Sequence, residues 1–181
     1  GYIRRKDNGD YEQATFFPKG DLIVPATITH DNTVYSIEEI DTLAFAYTKL
    51  TSLALSEGLK KIGYGAFYYT STLKGHIFIP ESCTKAEGWS FRSCYISGIS
   101  TGGVEVLEEY LTLESPITII EASASTKAIN NYFQNSNYQL ETIEIGENVK
   151  RVANYSFNGC SNVKTVYCYA TTPPAIKARD D

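Results

Sequence analysis

The chain has 181 residues, 43 % hydrophobic and 20 % charged, with a formal net charge of −5. That composition is globular rather than disordered, and the length allows a sizeable core. The acidic balance argues against nucleic acid, which calls for a basic patch. No apolar run approaches the roughly 18 residues of a membrane span, so no membrane insertion by this segment is expected. Tyr is frequent at 14, beside eight Phe and one Trp, and aromatic residues suit pleated surfaces. Gly1 and the lack of Met fit a processed chain, so the missing leader says nothing about export.

Residues 1–20 read as an N-terminal lead-in or cap. A recurring frame then runs along the chain, each copy holding two apolar-leaning positions three residues apart. The pairs are Ile37 and Ile40, Leu59 and Ile62, Cys83 and Ala86, Val104 and Leu107, Thr126 and Ile129, and Val149 and Val152. Successive copies are separated by 22, 24, 21, 22 and 23 residues. Such a period marks a solenoid, and missing it would misjudge the whole fold.

A second column falls four or five residues later, at Phe45, Phe67, Phe91, Thr112, Phe133 and Phe157. Three residues beyond each stands a small side chain: Thr48, Thr70, Cys94, Ser115, Ser136 and Cys160. The copy with Leu111 and Thr112 is placed by spacing more than by residue type.

Short alternating runs precede the frames. They are Leu53–Leu55, Ile77–Ile79, Ile99–Thr101, Ile117–Ile119 and Ile143–Ile145, with Val166–Cys168 at the end. Period-two alternation reads as a half-buried strand. One strand per coil, always in one direction, stacks into a parallel sheet at about 4.7–4.9 Å per coil, so about six coils span about 30 Å. No coil can bury its own apolar side, so neighbours hold one another. The solenoid is expected over 21–174, with an irregular coil at about 95–126 and a C-terminal tail at 175–181.

The repeat I-x-I-P-x-S-(apolar)-T-x-(apolar)-x-x-x-(small)-F-x-x-C is clearest from Ile77 through Pro80, Cys83, Ala86, Ser90 and Phe91 to Cys94. It resembles the BspA-like leucine-rich repeat of bacterial surface proteins. The opening Leu22–Thr29 with Val34–Ile37 looks like that family's N-terminal repeat, and Val166–Pro174 like its closing segment. The resemblance covers about residues 20–174 and weakens at 95–126, where Gly102, Gly103, Glu108 and Glu109 interrupt it. It implies a parallel sheet backed by a mostly irregular turn side.

Chemistry-bearing residues are sparse. His30 and His76 are the only histidines, with neither a His-x-x-x-His pair nor a Gly-x-Ser-x-Gly elbow. His30 falls in a turn, and His76 enters the run Ile77–Ile79 and is expected to face solvent. No C-x-x-C pair or zinc spacing occurs, and the carboxylate pairs do not reproduce a calcium loop. The glycines read as solenoid corners rather than a phosphate cradle. The chain is therefore expected to be no enzyme and to need no cofactor or metal.

Cys94 and Cys160 share a column but lie three coils apart, roughly 14 Å, whereas a disulfide needs Cα atoms within about 7 Å. With Cys83 in an apolar column and Cys168 aligned with Leu55 and Ile79, four free, buried thiols are expected. Between the apolar pairs, Glu39 faces Lys61, and Glu105 faces Lys85 or Lys127, as cross-coil attractions.

The outward row of the sheet is Ala54, Phe78, Ser100, Thr118, Glu144 and Tyr167, flanked by His76, Thr142, Thr165 and Tyr169. The residues proposed to bind are His76, Phe78, Thr118, Glu144, Tyr167 and Tyr169. By resemblance, the module sits at a bacterial cell surface or is secreted, and binds a host or neighbouring-cell protein or an extended glycan in adhesion. A passive spacer within a larger surface protein is the alternative, with a hydrolase a distant third.

Overall fold

The computed structural model describes residues 3–5, 11–13, 18–107, 119–121, 126, 128–129, 140–153, 156–157 and 159–177. The expectations for Thr112, Ser115, Thr118, Phe133 and Ser136 lie outside the described residues.

The alternating runs form strands because one side of each finds apolar neighbours in the coils above and below. Lys74–Phe78, Tyr95–Ser100, Ile119–Glu121, Thr142–Ile145 and Thr165–Cys168 make one all-parallel sheet in chain order. Lys19–Val24 and Lys49–Leu55 pair in parallel as the preceding coils of the same wall. Register sets Ile77 against Ile99, Ile99 against Ile120, Ile120 against Ile143, and Ile143 against Val166. Ile77, Ile99 and Ile143 are buried, each contributing about 1.5–3 kcal/mol of burial.

A second wall consists of very short strands, one per coil. Glu39–Ile40, Lys61–Ile62 and Lys85–Ala86 form one parallel ladder. Val106–Leu107, Ala128–Ile129, Arg151–Ala153 and Ala175–Lys177 form another. These are the second members of the repeating pairs, and Ile40, Ile62, Ala86, Leu107 and Val152 point into the core. The first members Leu59, Cys83, Val104, Thr126 and Val149 are buried beside them. Thr126 keeps its hydroxyl satisfied there by donating to the Val104 carbonyl at 2.9 Å.

Turns build the third wall, and they too are hydrogen-bonded from coil to coil. The N–H groups of Leu43, Phe45 and Tyr47 donate to the carbonyls of Tyr64, Ala66 and Tyr68. Those of Gly65, Phe67 and Tyr69 donate in the same way to Gly88, Ser90 and Arg92. Inside this wall the Phe45, Phe67 and Phe91 rings stack in file, at 5.5 and 5.3 Å. The small column has a polar reason as well as a steric one. Thr70 Oγ1 donates to the Phe45 carbonyl at 2.9 Å and Cys94 Sγ to the Phe67 carbonyl at 3.1 Å.

Thr27–His30 and Thr33–Ser36 form a hairpin closed by Asp31 and Asn32, both left-handed (φ 48° and 59°), as a two-residue primed turn requires. Ile3–Arg5 and Tyr11–Gln13 form a further antiparallel pair. No helix occurs among the described residues.

Three expectations need correction. In the fourth of these runs the described strand is Ile119–Glu121, and Ile120 rather than Ile119 stands against Ile99, with Glu121 anchored to the neighbouring strand as described below. All four cysteines are free, but only Cys83 and Cys94 are buried; Cys160 is half-buried and Cys168 exposed. Cys168 aligns with Ile145 as the column requires, yet its strand lies at the edge of the sheet, and no further strand covers it among the described residues. Finally, Gly98 is no corner: it lies within the strand Tyr95–Ser100.

Candidate functional site

The outward row of the five-stranded sheet is fixed by its register. Phe78 pairs with Ser100, Ser100 with Glu121, Glu121 with Glu144, and Glu144 with Tyr167. Period two turns these side chains away from the core. Phe78 is 66 % exposed, Tyr167 48 % and Tyr169 55 %, while Glu144 is half-buried. Tyr167 and Tyr169 lie nearly parallel at 6.4 Å. Glu121 stands between Ser100 and Glu144 in this row, and Thr118 lies outside the described residues.

His76 departs from expectation. It is half-buried rather than solvent-facing, with its ring near-parallel to that of Phe78 at 4.5 Å. The cause is Gly98 on the next strand: a Cβ there would come within 2.3 Å of His76 Nδ1. Glycine therefore opens the space into which the imidazole settles. His76 Nε2 lies 2.8 Å from Ser100 Oγ, and the Ser100 hydroxyl donates to Glu121 Oε2. A hydroxyl has one proton to give, so Ser100 accepts from a protonated Nε2.

This direction of donation decides what the cluster can do. A general base must take the proton of its serine, and a triad carboxylate must sit on the other ring nitrogen. Here Nε2 already carries the proton, and the carboxylate is 3.7 Å from that same nitrogen. The His76–Ser100–Glu121 group therefore clamps three strands and holds Phe78 upright. With Ser100 and Glu121 both on Nε2, it lacks the arrangement of a Ser-His-Asp triad. No group of three or more metal-ligating side chains occurs among the described residues.

The charged residues between the apolar pairs cross-link coils. Lys61 Nζ bonds Glu39 at 2.6 Å as expected, and Lys60 bonds Glu38 at 2.6 Å. Lys61 also approaches Glu87 at 3.6 Å, and Lys85 reaches Glu87 at 3.0 Å. The Glu39 carboxylate beside Lys61 holds that ammonium above its usual range. Exposed pairs of this kind contribute about 0–1 kcal/mol each and tune register.

An apolar cleft of about 490 Å³ opens at the last coil, lined by Ile145, Val152, Phe157, Pro174 and Ile176 among others. Ile176, in the column of Val152, is 77 % exposed. The cleft is the end of the core column rather than a separate site.

Sequence reasoning missed a second exposed group, on the turn side: Tyr47, Tyr64, Tyr68, Tyr69, Trp89 and Arg92. The signal was available in one column, where Tyr47, Tyr69, Ser93 and Gly159 stand at equivalent positions. All four are left-handed, with φ of 59°, 55°, 57° and 85°. For a residue with a Cβ this conformation costs roughly 1–2 kcal/mol.

The repeated columns also match a known sequence family. The profile of the BspA type leucine-rich repeat region matches residues 38–164, in six copies. The chain belongs to that family. Among solved structures, this BspA-type chain is similar to a leucine-rich cell surface protein from Faecalibacterium prausnitzii A2-165, at 17 % identity and TM-score 0.55. The alignment covers 96 % of this chain and 54 % of that one. It is also similar to a leucine-rich repeat protein from Bacteroides ovatus ATCC 8483, at 18 % identity and TM-score 0.57, covering 91 % and 51 %. These likenesses concern the fold, and the BspA-type chain spans about half the length of either structure. No curated protein matches it.

Proposed function

We propose that the chain is a non-catalytic binding module of a bacterial cell-surface protein, presenting its parallel-sheet face to a protein or extended glycan of a host or neighbouring cell. The observation that carries this reading is the exposed row itself. Phe78 is held upright by His76 at one end, Tyr167 and Tyr169 stand at the other, and Glu121 and Glu144 lie between them. Aromatic anchors dominate interface energies, and polar neighbours between them fix orientation. Surface location is supported by the family and by the name of the Faecalibacterium protein.

Phe78 and Tyr167 are four strand steps apart, near 19 Å at one strand spacing per step. A partner using both must be large, so weak or no binding of single sugars is expected. The test is a screen of the pure chain against immobilised extracellular-matrix proteins and a glycan array, followed by Phe78→Ala and Tyr167→Ala on any hit. Loss of roughly tenfold or more in affinity supports the sheet face. Unchanged affinity in both folded variants moves the site elsewhere, and a clean negative favours a passive spacer.

A further inference from the structure

On the turn side, Tyr47, Tyr64, Tyr68, Tyr69 and Trp89 form a continuous belt over three coils. Rings of adjacent coils are 5.3–5.7 Å apart, and the Arg92 guanidinium lies 4.5 Å over Trp89. Tyr47, Tyr64 and Tyr69 remain 40–46 % exposed, and Trp89 is half-buried.

The backbone beneath the belt gives a reason to look for a role. Tyr47 and Tyr69 occupy the left-handed column that the last copy fills with Gly159. Trp89 (φ 62°) occupies another, which the second copy fills with Gly65 (φ 60°). Large rings thus stand where the fold itself prefers glycine, and strain of this kind gathers at functional positions.

Donor and acceptor chemistry selects the ligand class. Trp can only donate, and a tyrosine hydroxyl donates readily. The carboxylate nearest the belt, Glu87, already accepts from the Tyr64 N–H and faces Lys61 and Lys85. A donor-rich, ring-lined surface fits a ligand rich in carbonyls, poor in N–H groups and apolar at its sides. A proline-rich segment has that character, since proline lacks the N–H. Its polyproline II helix makes no internal hydrogen bonds, so its carbonyls stay free to accept. We propose that the turn-side belt binds proline-rich polyproline II segments, independently of the sheet face.

The chain's one Trp lies in the belt, so intrinsic fluorescence reports on it directly. The native chain is titrated with deca-proline, a Gly-Ser decapeptide and a cello-oligosaccharide. A saturable change with deca-proline alone is expected. Tyr69→Gly suits its left-handed backbone and keeps the fold, and it should weaken binding roughly tenfold or more. Phe78→Ala, on the sheet face, should leave it within about twofold. Absence of saturation with deca-proline, equal binding of the Gly-Ser peptide, binding of the cello-oligosaccharide instead, or an unaffected Tyr69→Gly variant would each overturn the proposal.

Discussion

The Phe67 ring lies parallel to that of Phe91, with centroids 5.3 Å apart and planes 6° apart, and Phe45 covers its other face. Phe67 therefore has ring contacts above and below and no exposed surface. Phe67→Ala should cost about 3–5 kcal/mol. Phe157 is half-buried and should cost less, and the exposed Phe78→Ala should stay within about 0.5 kcal/mol. Thermal melts of the three variants check this order. Equal damage at Phe78 and Phe67 would contradict the orientation of the sheet.

The thiols should divide by exposure. Alkylation of the native chain should modify Cys168 quickly, while Cys83 and Cys94 react only as the coils open. In denaturant without reductant, mass spectrometry should count four labels. A count of two would mean a disulfide and a different stacking register.

Burial pushes the Cys94 thiol up to about 12 from an ordinary value of 9.0, and Cys83 to about 11. In the unfolded chain these thiols lose their protons from about pH 9, while the folded chain retains them. The unfolded state then binds fewer protons, so stability falls as pH rises. It should be complete below pH 9 and decline toward pH 12. Urea melts at pH 8 and pH 10.5 measure the slope. Cys94→Ala should be less stable at pH 8, having lost its bond to the Phe67 carbonyl, but should lose less on going to pH 10.5.

At position 69 the usual order of substitutions should reverse. Alanine removes the ring contacts with Tyr47 and Tyr68 and keeps the left-handed strain. Glycine removes both. Tyr69→Gly should therefore be more stable than Tyr69→Ala by about 1 kcal/mol, although glycine ordinarily weakens a fold. Paired denaturant melts decide it. If alanine proves the better residue, the belt is not strained at this position.

The repeat frame was legible because stacking imposes it. Leu59, Ile62 and Phe67 recur at Cys83, Ala86 and Phe91 since each must fill the same space one coil further on. The fourth coil was misread because Ile117, Ile119 and Ile120 support two alternations. Contacts across the sheet, such as Ser100–Glu121 between residues 21 apart in the chain, choose between them. The half-burial of His76 depends on the missing Cβ of Gly98 across the sheet, which no local pattern reveals. Cys168 has the inward register, but burial also needs a neighbour on the open side. The aromatic belt was hidden because tyrosine is an ordinary strand former, and only Gly159 in the same column hints that positions 47 and 69 are left-handed turns.

Among the described residues each wall joins a coil to the next one by backbone hydrogen bonds, and Phe45, Phe67 and Phe91 stack on one another. Length is therefore a free variable of the design. A second copy of residues 59–82, inserted before Cys83, would meet Phe67 below and Phe91 above, as its original does. The sheet would lengthen by one strand spacing, about 4.8 Å, with a second Phe78 on the sheet face and a second Tyr64, Tyr68 and Tyr69 on the turn side. Such a chain could be tuned in reach by duplication alone, as a ruler is extended by adding marks.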